Sequence, residues 1–382
     1  MNTAACKSAG IYIHIPFCEK KCGYCDFYST TDKTFIPDFE KAISDEIKAA
    51  VTYPFAYDSV YFGGGTPSLL SEHSIRQIFD TVKSSLNPAI GSEFTIEVNP
   101  GAVDNKKIAA YKDMGFNRIS LGIQSVDNKN LRFLTRIHTA ERGLKALSLA
   151  REAGFTNMGV DMIYGLPGQT IQAWIKDLER VLAFNPEHLS CYMLTIEKGT
   201  PFHEAYKKCE FTPIADKTSA DLYTATNHFL EERGYKQYEI SNYARSEETI
   251  SRHNMKYWDF VPYLGFGPSA HSFTGNTRFW NKKSITAYLG AWKENRSFIE
   301  DSEAVTDETM LLESIFLGLR KNMGIHIPSF ESRTGVSFMS RYGTYVNWLV
   351  EKEMAVLSET RFRLTLKGMV VLDSIASDMA DM

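Results

Sequence analysis

The chain has 382 residues, 43% of them apolar, and a net charge of −4. That length allows one large domain and a small one, and the apolar share supports a packed core. The charge balance points away from nucleic acid as a partner. No run of about 18 apolar residues occurs, so no membrane span is expected. The start, MNTAACKSAG, lacks the basic-then-apolar pattern of a secretory signal, and Asn2 stands where myristoylation needs glycine. A cytoplasmic protein is the expectation.

Along the first 234 residues, strand-like and helix-like segments alternate. Strands are predicted at 11–15, 59–63, 94–99, 118–124, 158–164 and 189–194. The first intervening stretch places Phe35, Phe39, Ile43, Ile47 and Val51 on one helical face. The second carries Ile75, Ile78, Phe79, Val82 and Leu86, with Ser71 as N-cap. Later helices carry Ile108 and Tyr111, then Leu144 and Leu147, then Trp174, Ile175, Leu178, Val181 and Leu182. A sixth covers about 216–234. Six consecutive β/α units predict a parallel sheet with crossover helices. Six fall short of the eight of a closed barrel, so the expected fold class is α/β, a partial (β/α)6 barrel. A doubly wound sheet is the alternative.

Beyond Gly234 the pattern changes. Residues 235–244 read as extended, followed by an irregular aromatic-rich stretch to about 280. A helix over 310–319, a strand over 361–366 and a final helix to 382 make a smaller α+β unit. The expected division is a barrel over 1–234, a connecting extension over 235–300 and a C-terminal domain over 301–382.

Three of the six cysteines fall within eight residues, in Cys18-Glu-Lys-Lys-Cys22-Gly-Tyr-Cys25, on the loop after the first strand. In a reducing compartment such clustering points to metal. Thiolates suit iron–sulfur clusters or zinc. A closed zinc site needs four ligands, and no fourth stands nearby; His14, on the strand, is expected to aim away from the loop. Three thiolates on a four-iron cluster leave one iron open to a small molecule. A zinc site completed from afar, or buried structural thiols, remain the alternatives. Tyr61-Phe-Gly-Gly-Gly-Thr-Pro67 follows the second strand, where bare backbone lets a ligand approach or a chain turn tightly. Glu97, Gln124 and Asp161 lie at or near the ends of strands three to five, which in a parallel barrel open on one face. Cys6, Cys191 and Cys209 read as bystanders, with Cys191 in the core.

The C-x3-C-x2-C spacing and the glycine segment resemble the radical SAM superfamily. Ile96-Glu-Val-Asn-Pro100, Arg118-Ile-Ser-Leu-Gly-Ile-Gln-Ser125 and Asp161-Met-Ile-Tyr-Gly-Leu-Pro-Gly-Gln-Thr170 resemble its subgroup containing coproporphyrinogen III dehydrogenase (HemN) and the HemW heme chaperones. The resemblance covers essentially the whole chain, including a small C-terminal HemN-type domain. It implies a [4Fe-4S] cluster on Cys18, Cys22 and Cys25, which holds and cleaves S-adenosyl-L-methionine (SAM). It also implies SAM contacts from Tyr12, Gly64, Gly65, Thr66, Glu97, Gln124, Arg136 and Asp161. Carboxylates and amides suit the ribose hydroxyls and amino group, and Arg136 suits a carboxylate.

Two features separate the branches. Phe27 stands where the dehydrogenase has a fourth cysteine, and only about ten residues precede the first strand, where the dehydrogenase has a long segment. Arg252-His-Asn-Met-Lys-Tyr-Trp258 matches the HNxxYW signature of HemW. There His253 is implied to meet heme, since histidine is a common axial ligand and aromatics pack on porphyrins. Without the resemblance, His253 reads as a structural histidine. His271, in Gly265-Phe-Gly-Pro-Ser-Ala-His271, is a second histidine, heme ligand or turn residue. The implied function is a heme chaperone that passes heme to a hemoprotein, a respiratory enzyme being one candidate. The alternative is oxygen-independent oxidation of coproporphyrinogen III or another radical SAM reaction. A homodimer is one expected assembly.

Overall fold

The computed structural model describes residues 8–382; Cys6 lies outside them. Six strands follow one another as parallel neighbours: β1 (Ala9–Ile15), β2 (Tyr57–Gly64), β3 (Glu93–Val98), β4 (Arg118–Gln124), β5 (Met158–Tyr164) and β6 (His188–Met193). A doubly wound sheet would reverse its strand order part-way. Here the order runs straight through, so right-handed crossovers place the helices on one face, as in a barrel. The other face curls around a cavity.

β1 shows how the sequence sorts its two faces. Ile11, Ile13 and Ile15 are fully buried against the helical layer, while Tyr12 and His14 point into the cavity. The helix Ile36–Ala49 buries Phe39, Ala42, Ile43 and Ile47 on that layer. Val51 departs from the expected face. The helix ends at Ala49, a 3-10 turn follows, and the changed pitch leaves Val51 exposed. The helix Glu72–Leu86 is capped by Ser71, whose Oγ accepts from the Ser74 amide at 3.0 Å.

The extended segment after Gly234 is a hairpin, β7 (Lys236–Glu239) and β8 (Asn242–Ala244), with β8 antiparallel to β6. On the other edge, β9 (Tyr263–Phe266) runs parallel to β1. It is followed by antiparallel β10 (His271–Phe273), β11 (Thr277–Asn281) and β12 (Ile299–Ala304). The hairpin widens one edge of the barrel, and the aromatic-rich stretch contributes ordered strands to the other. Its near edge is pinned by Glu46, which accepts from the Gly267 amide (2.9 Å), the Tyr288 hydroxyl (2.6 Å) and the Asn281 amide.

The C-terminal part comprises the helices Asp307–Arg320, Ile327–Thr334, Phe338–Glu351 and Leu372–Ala380. With them stands a small antiparallel sheet in the order β13 (Ile325–His326), β15 (Arg361–Leu364), β14 (Ala355–Leu357). Arg320 bonds Asp373 at 2.9 Å, and Asn322 donates its amide to the Tyr238 carbonyl at 3.0 Å. Arg320 and residues 369–374 line the barrel cavity, so this part closes one side of it. Among the described residues no helix is long and apolar enough to cross a membrane.

Candidate functional site

A cavity of about 1670 Å³ occupies the barrel. Cys18, Cys22, Cys25, Tyr12, Gly64, Gly65, Thr66, Glu97, Gln124, Arg136, Asp161 and His253 all line it. Cys191 is buried in the core and Cys209 is exposed elsewhere.

The cysteine loop is held at both ends and in the middle. The Cys18 amide donates to the Thr30 carbonyl (2.9 Å), and the Thr30 amide to the Pro16 carbonyl (2.7 Å). In between, Gly23 donates to Thr135 Oγ1 at 2.7 Å and accepts from the Phe202 amide at 2.9 Å. A Cβ on Gly23 would lie 2.5 Å from the Phe202 ring, so only glycine fits. Phe202 belongs to a small apolar cluster with Leu134, Ile163 and Leu166, against which Tyr24 packs. The three thiols are free and half-buried. Burial pushes the Cys25 thiol up, and the charges of Cys22 and Cys18 add to this. Among the described residues no three His, Cys, Asp or Glu side chains converge as ligands of a single ion. A four-iron cluster makes a different demand, one iron per thiol. Cys18 Sγ lies 3.5 Å from Thr66 Oγ1, and Arg136 Nη1 donates towards Cys22 Sγ at 3.6 Å.

His14 departs from expectation. Its Nε2 lies 3.0 Å from the Tyr28 carbonyl, three residues past Cys25, so it faces the loop. Burial lowers its pKa to about 4, so the ring is neutral near pH 7. The carbonyl can only accept; Nε2 therefore carries the proton and Nδ1 accepts from the Tyr12 hydroxyl at 3.2 Å. The glycines at the end of β2 and just after it answer packing as well as any ligand. Gly64 has φ +105°, and a Cβ there would meet the His14 ring at 2.7 Å; one on Gly65 would meet the Ile15 and Phe17 backbone.

Deeper in, Glu97 and Asp161 reach solvent only through the cavity. Glu97 Oε1 accepts from the Tyr61 hydroxyl at 2.8 Å. Burial raises its pKa to about 7, with the Asp161 charge adding to the rise. Burial likewise raises Asp161, whose oxygens accept from Ser120 Oγ at 3.2 and 3.3 Å. Two carboxylates costly to ionise in the free cavity would gain from a cationic ligand. Arg136 supplies the opposite charge. Nη2 donates to the Gly122 carbonyl at 2.8 Å, and its buried Nε has no partner among the described residues. Burial opposes this charge, but Tyr24 and Cys22 more than offset it. Gln124 ends β4 in the left-handed region at φ +67°, a strained conformation costing about 1–3 kcal/mol of the kind found at binding sites.

The radical SAM superfamily profile matches residues 12–181, and the HemN C-terminal domain profile matches 305–371. Heme chaperone HemW of Bacillus subtilis is 33% identical, over 94% of this chain and 95% of that protein. The chain belongs to the HemW family. HemW of Synechocystis is 35% identical over 82% of this chain and 78% of its own length. The mitochondrial radical S-adenosyl methionine domain-containing protein 1 of Bos taurus is 31% identical over 96% and 86%. Coproporphyrinogen III oxidase (HemN) from Escherichia coli shares the fold, with a TM-score of 0.83 at 23% identity over 98% of this chain and 90% of that one.

The HemW signature lies where the sequence did not foretell. It forms the helix Arg252–Trp258, whose first amides donate to the Glu93 carboxylate at the start of β3, 3.1 Å each. His253 Nδ1 lies 3.3 Å from Ser59 Oγ, at the start of β2, and Nε2 lies 2.9 Å from the Tyr257 hydroxyl. The helix therefore closes the N-terminal ends of the strands, roughly 16 Å of strand away from Gly64. His253 is 1% exposed and stacks on Tyr61 and Tyr12, with centroids 5.2 and 6.1 Å away. Burial, then Lys256, lowers its pKa to about 3. The ring that the resemblance implies for heme is thus buried here, with both nitrogens engaged by Ser59 and Tyr257. Periodicity within seven residues cannot say which end of a barrel they close. Sequence reasoning also passed over Tyr61, Thr135, Gly23 and Ser120. Tyr61 could have been found, since period two puts it on the cavity face of β2.

Proposed function

We propose that this chain is a heme chaperone which carries a [4Fe-4S] cluster on Cys18, Cys22 and Cys25 and binds SAM in the barrel beside it. The observation that carries this is the meeting of three free thiols with Glu97, Asp161 and Arg136 on one cavity, in a chain of the HemW family. The donor set fits the cluster: soft ligands on a clamped loop, with an Arg136 Nε that has no partner among the described residues. When bound, the cluster offers one open iron to SAM and an electron for its cleavage.

The chain's own groups do the rest. Glu97 and Asp161 attract the cationic amino group and the ribose hydroxyls. Arg136 turns its fork to the carboxylate, and Thr66, Gly64, Gly65, Tyr12 and Gln124 shape the walls. Heme is cargo, delivered to a hemoprotein, with a respiratory enzyme as one candidate acceptor. A reducing compartment such as the cytoplasm is the reading that suits free thiols destined for iron. We draw the domain boundaries near residues 234 and 300.

The branch is favoured by Phe27, 67% exposed on the cavity rim where a dehydrogenase would have a cysteine. Anaerobic, cluster-loaded protein given heme or coproporphyrinogen with SAM and reductant tests the assignment. Heme uptake without porphyrinogen turnover is expected. Decarboxylated product at many turnovers would refute it in favour of the oxidase alternative.

A further inference from the structure

His271 stands apart from the chain's other cavity-lining histidines. His14, His188 and His253 are buried and hydrogen-bonded. His271 is exposed, lines the cavity, and its ring nitrogens have no hydrogen-bond partner among the described residues. Topology puts it at the same end of the barrel as the cysteines. β9 runs parallel to β1, so the turn after it opens where the cysteine loop opens. Two contacts fix that proximity: a Cβ on Gly267 would lie 2.5 Å from the His14 carbonyl oxygen, and the Ile285 amide donates to the Tyr28 hydroxyl at 2.6 Å. Trp280, opposite His271 across the β10–β11 pair, stacks on the imidazole with centroids 5.7 Å apart and planes 27° from parallel. That stacking holds the ring at a set angle while leaving its nitrogens free. Around the same cavity stand exposed Phe27, an apolar face suited to a porphyrin, and Lys20, Lys21 and Lys283, cations suited to propionates.

We propose that His271 is the axial ligand of the cargo heme iron, oriented by Trp280, and that the His253 helix instead forms the floor of the barrel. This rests on the heme-chaperone function. A neutral imidazole gives its lone pair to the iron and nothing is oxidised or reduced. His271 meets the need because its nitrogens are open; His253 would have to leave Ser59, Tyr257 and its aromatic stack.

The test is titration of hemin into cluster-loaded protein, followed by absorption spectrum and affinity. His271→Ala should weaken binding by about tenfold or more and shift the heme band. Added imidazole should restore the wild-type spectrum, and iron and sulfide content should not change. Trp280→Leu should weaken binding less. His253→Gln, which keeps hydrogen bonding, should leave the spectrum as it is. Wild-type spectrum and affinity in His271→Ala would overturn the assignment, as would a changed spectrum in a folded, cluster-bearing His253→Gln. A wild-type protein that takes up no heme would overturn the chaperone function itself, and this assignment with it.

Discussion

Replacing Glu97 with Gln probes the SAM site at its most perturbed group. Glu97 accepts from Tyr61 at 2.8 Å, and burial has raised its pKa to about 7. A cationic amino group bound to the ionised carboxylate forms a charge-assisted hydrogen bond worth about 1.5–3 kcal/mol. That corresponds to roughly 10- to 150-fold in affinity. Only the ionised form makes this bond. With a pKa near 7 the ionised fraction rises about tenfold between roughly pH 6 and pH 8, so SAM affinity should climb by about that factor and then level off. Gln keeps the size and a carbonyl for Tyr61 but carries no charge. Glu97→Gln should therefore weaken SAM binding by about tenfold or more at pH 8 and make the pH profile shallower. Anaerobic calorimetry on cluster-loaded protein at three pH values measures both effects. Equal affinities and parallel profiles in the two proteins would refute the placement of Glu97 at the cation.

Other outcomes follow from the same geometry. Serine at Cys18, Cys22 or Cys25 should remove the brown chromophore after anaerobic reconstitution, whereas alanine at Cys191 or Cys209 should leave iron and sulfide content unchanged. Gly23→Ala pushes a methyl into the Phe202 ring, so the loop must shift; cluster retention should fall although all three thiols remain, and full retention would show that the clamp is dispensable. Glu46→Ala leaves the Gly267 amide and the Tyr288 hydroxyl unpaired, while the Asn281 side-chain amide keeps only the Gly267 carbonyl; a loss of about 2 kcal/mol or more in denaturant unfolding is expected. Burial raises the pKa values of Glu46 and Glu239 to about 7, against an ordinary 4.5. The folded state thus binds protons more tightly; this contribution to stability is complete below about pH 4.5 and lost as pH rises through 7. The lowered pKa values of His14 and His253 act in the opposite sense but are common to both proteins, so the melting temperature of Glu46→Gln relative to wild type should rise from pH 5 to 8, and a constant difference would refute the reasoning.

Much of the barrel could be read from one dimension, because its signals are local. β4 and β5 begin and end where the apolar runs do, and the Ser71 cap opens its helix as the side chain dictates. The cysteine spacing announced soft-metal chemistry, since three thiols so close on one loop after a strand serve little else. Tertiary structure alone decided which histidine is open. His253 and His271 look alike in sequence, each beside aromatic residues. One is buried because its helix docks on the starts of β1 and β2; the other is exposed because β9 pairs parallel to β1 and carries its turn to the opposite end. Those pairings join segments some 200 residues apart, and no period within a segment encodes them. The same holds for Thr135 and Phe202, which clamp Gly23 from more than a hundred residues away. Chemistry that resides in a residue type is legible in the chain. Chemistry that resides in which groups are brought together, desolvated or left open appears only when the chain has folded.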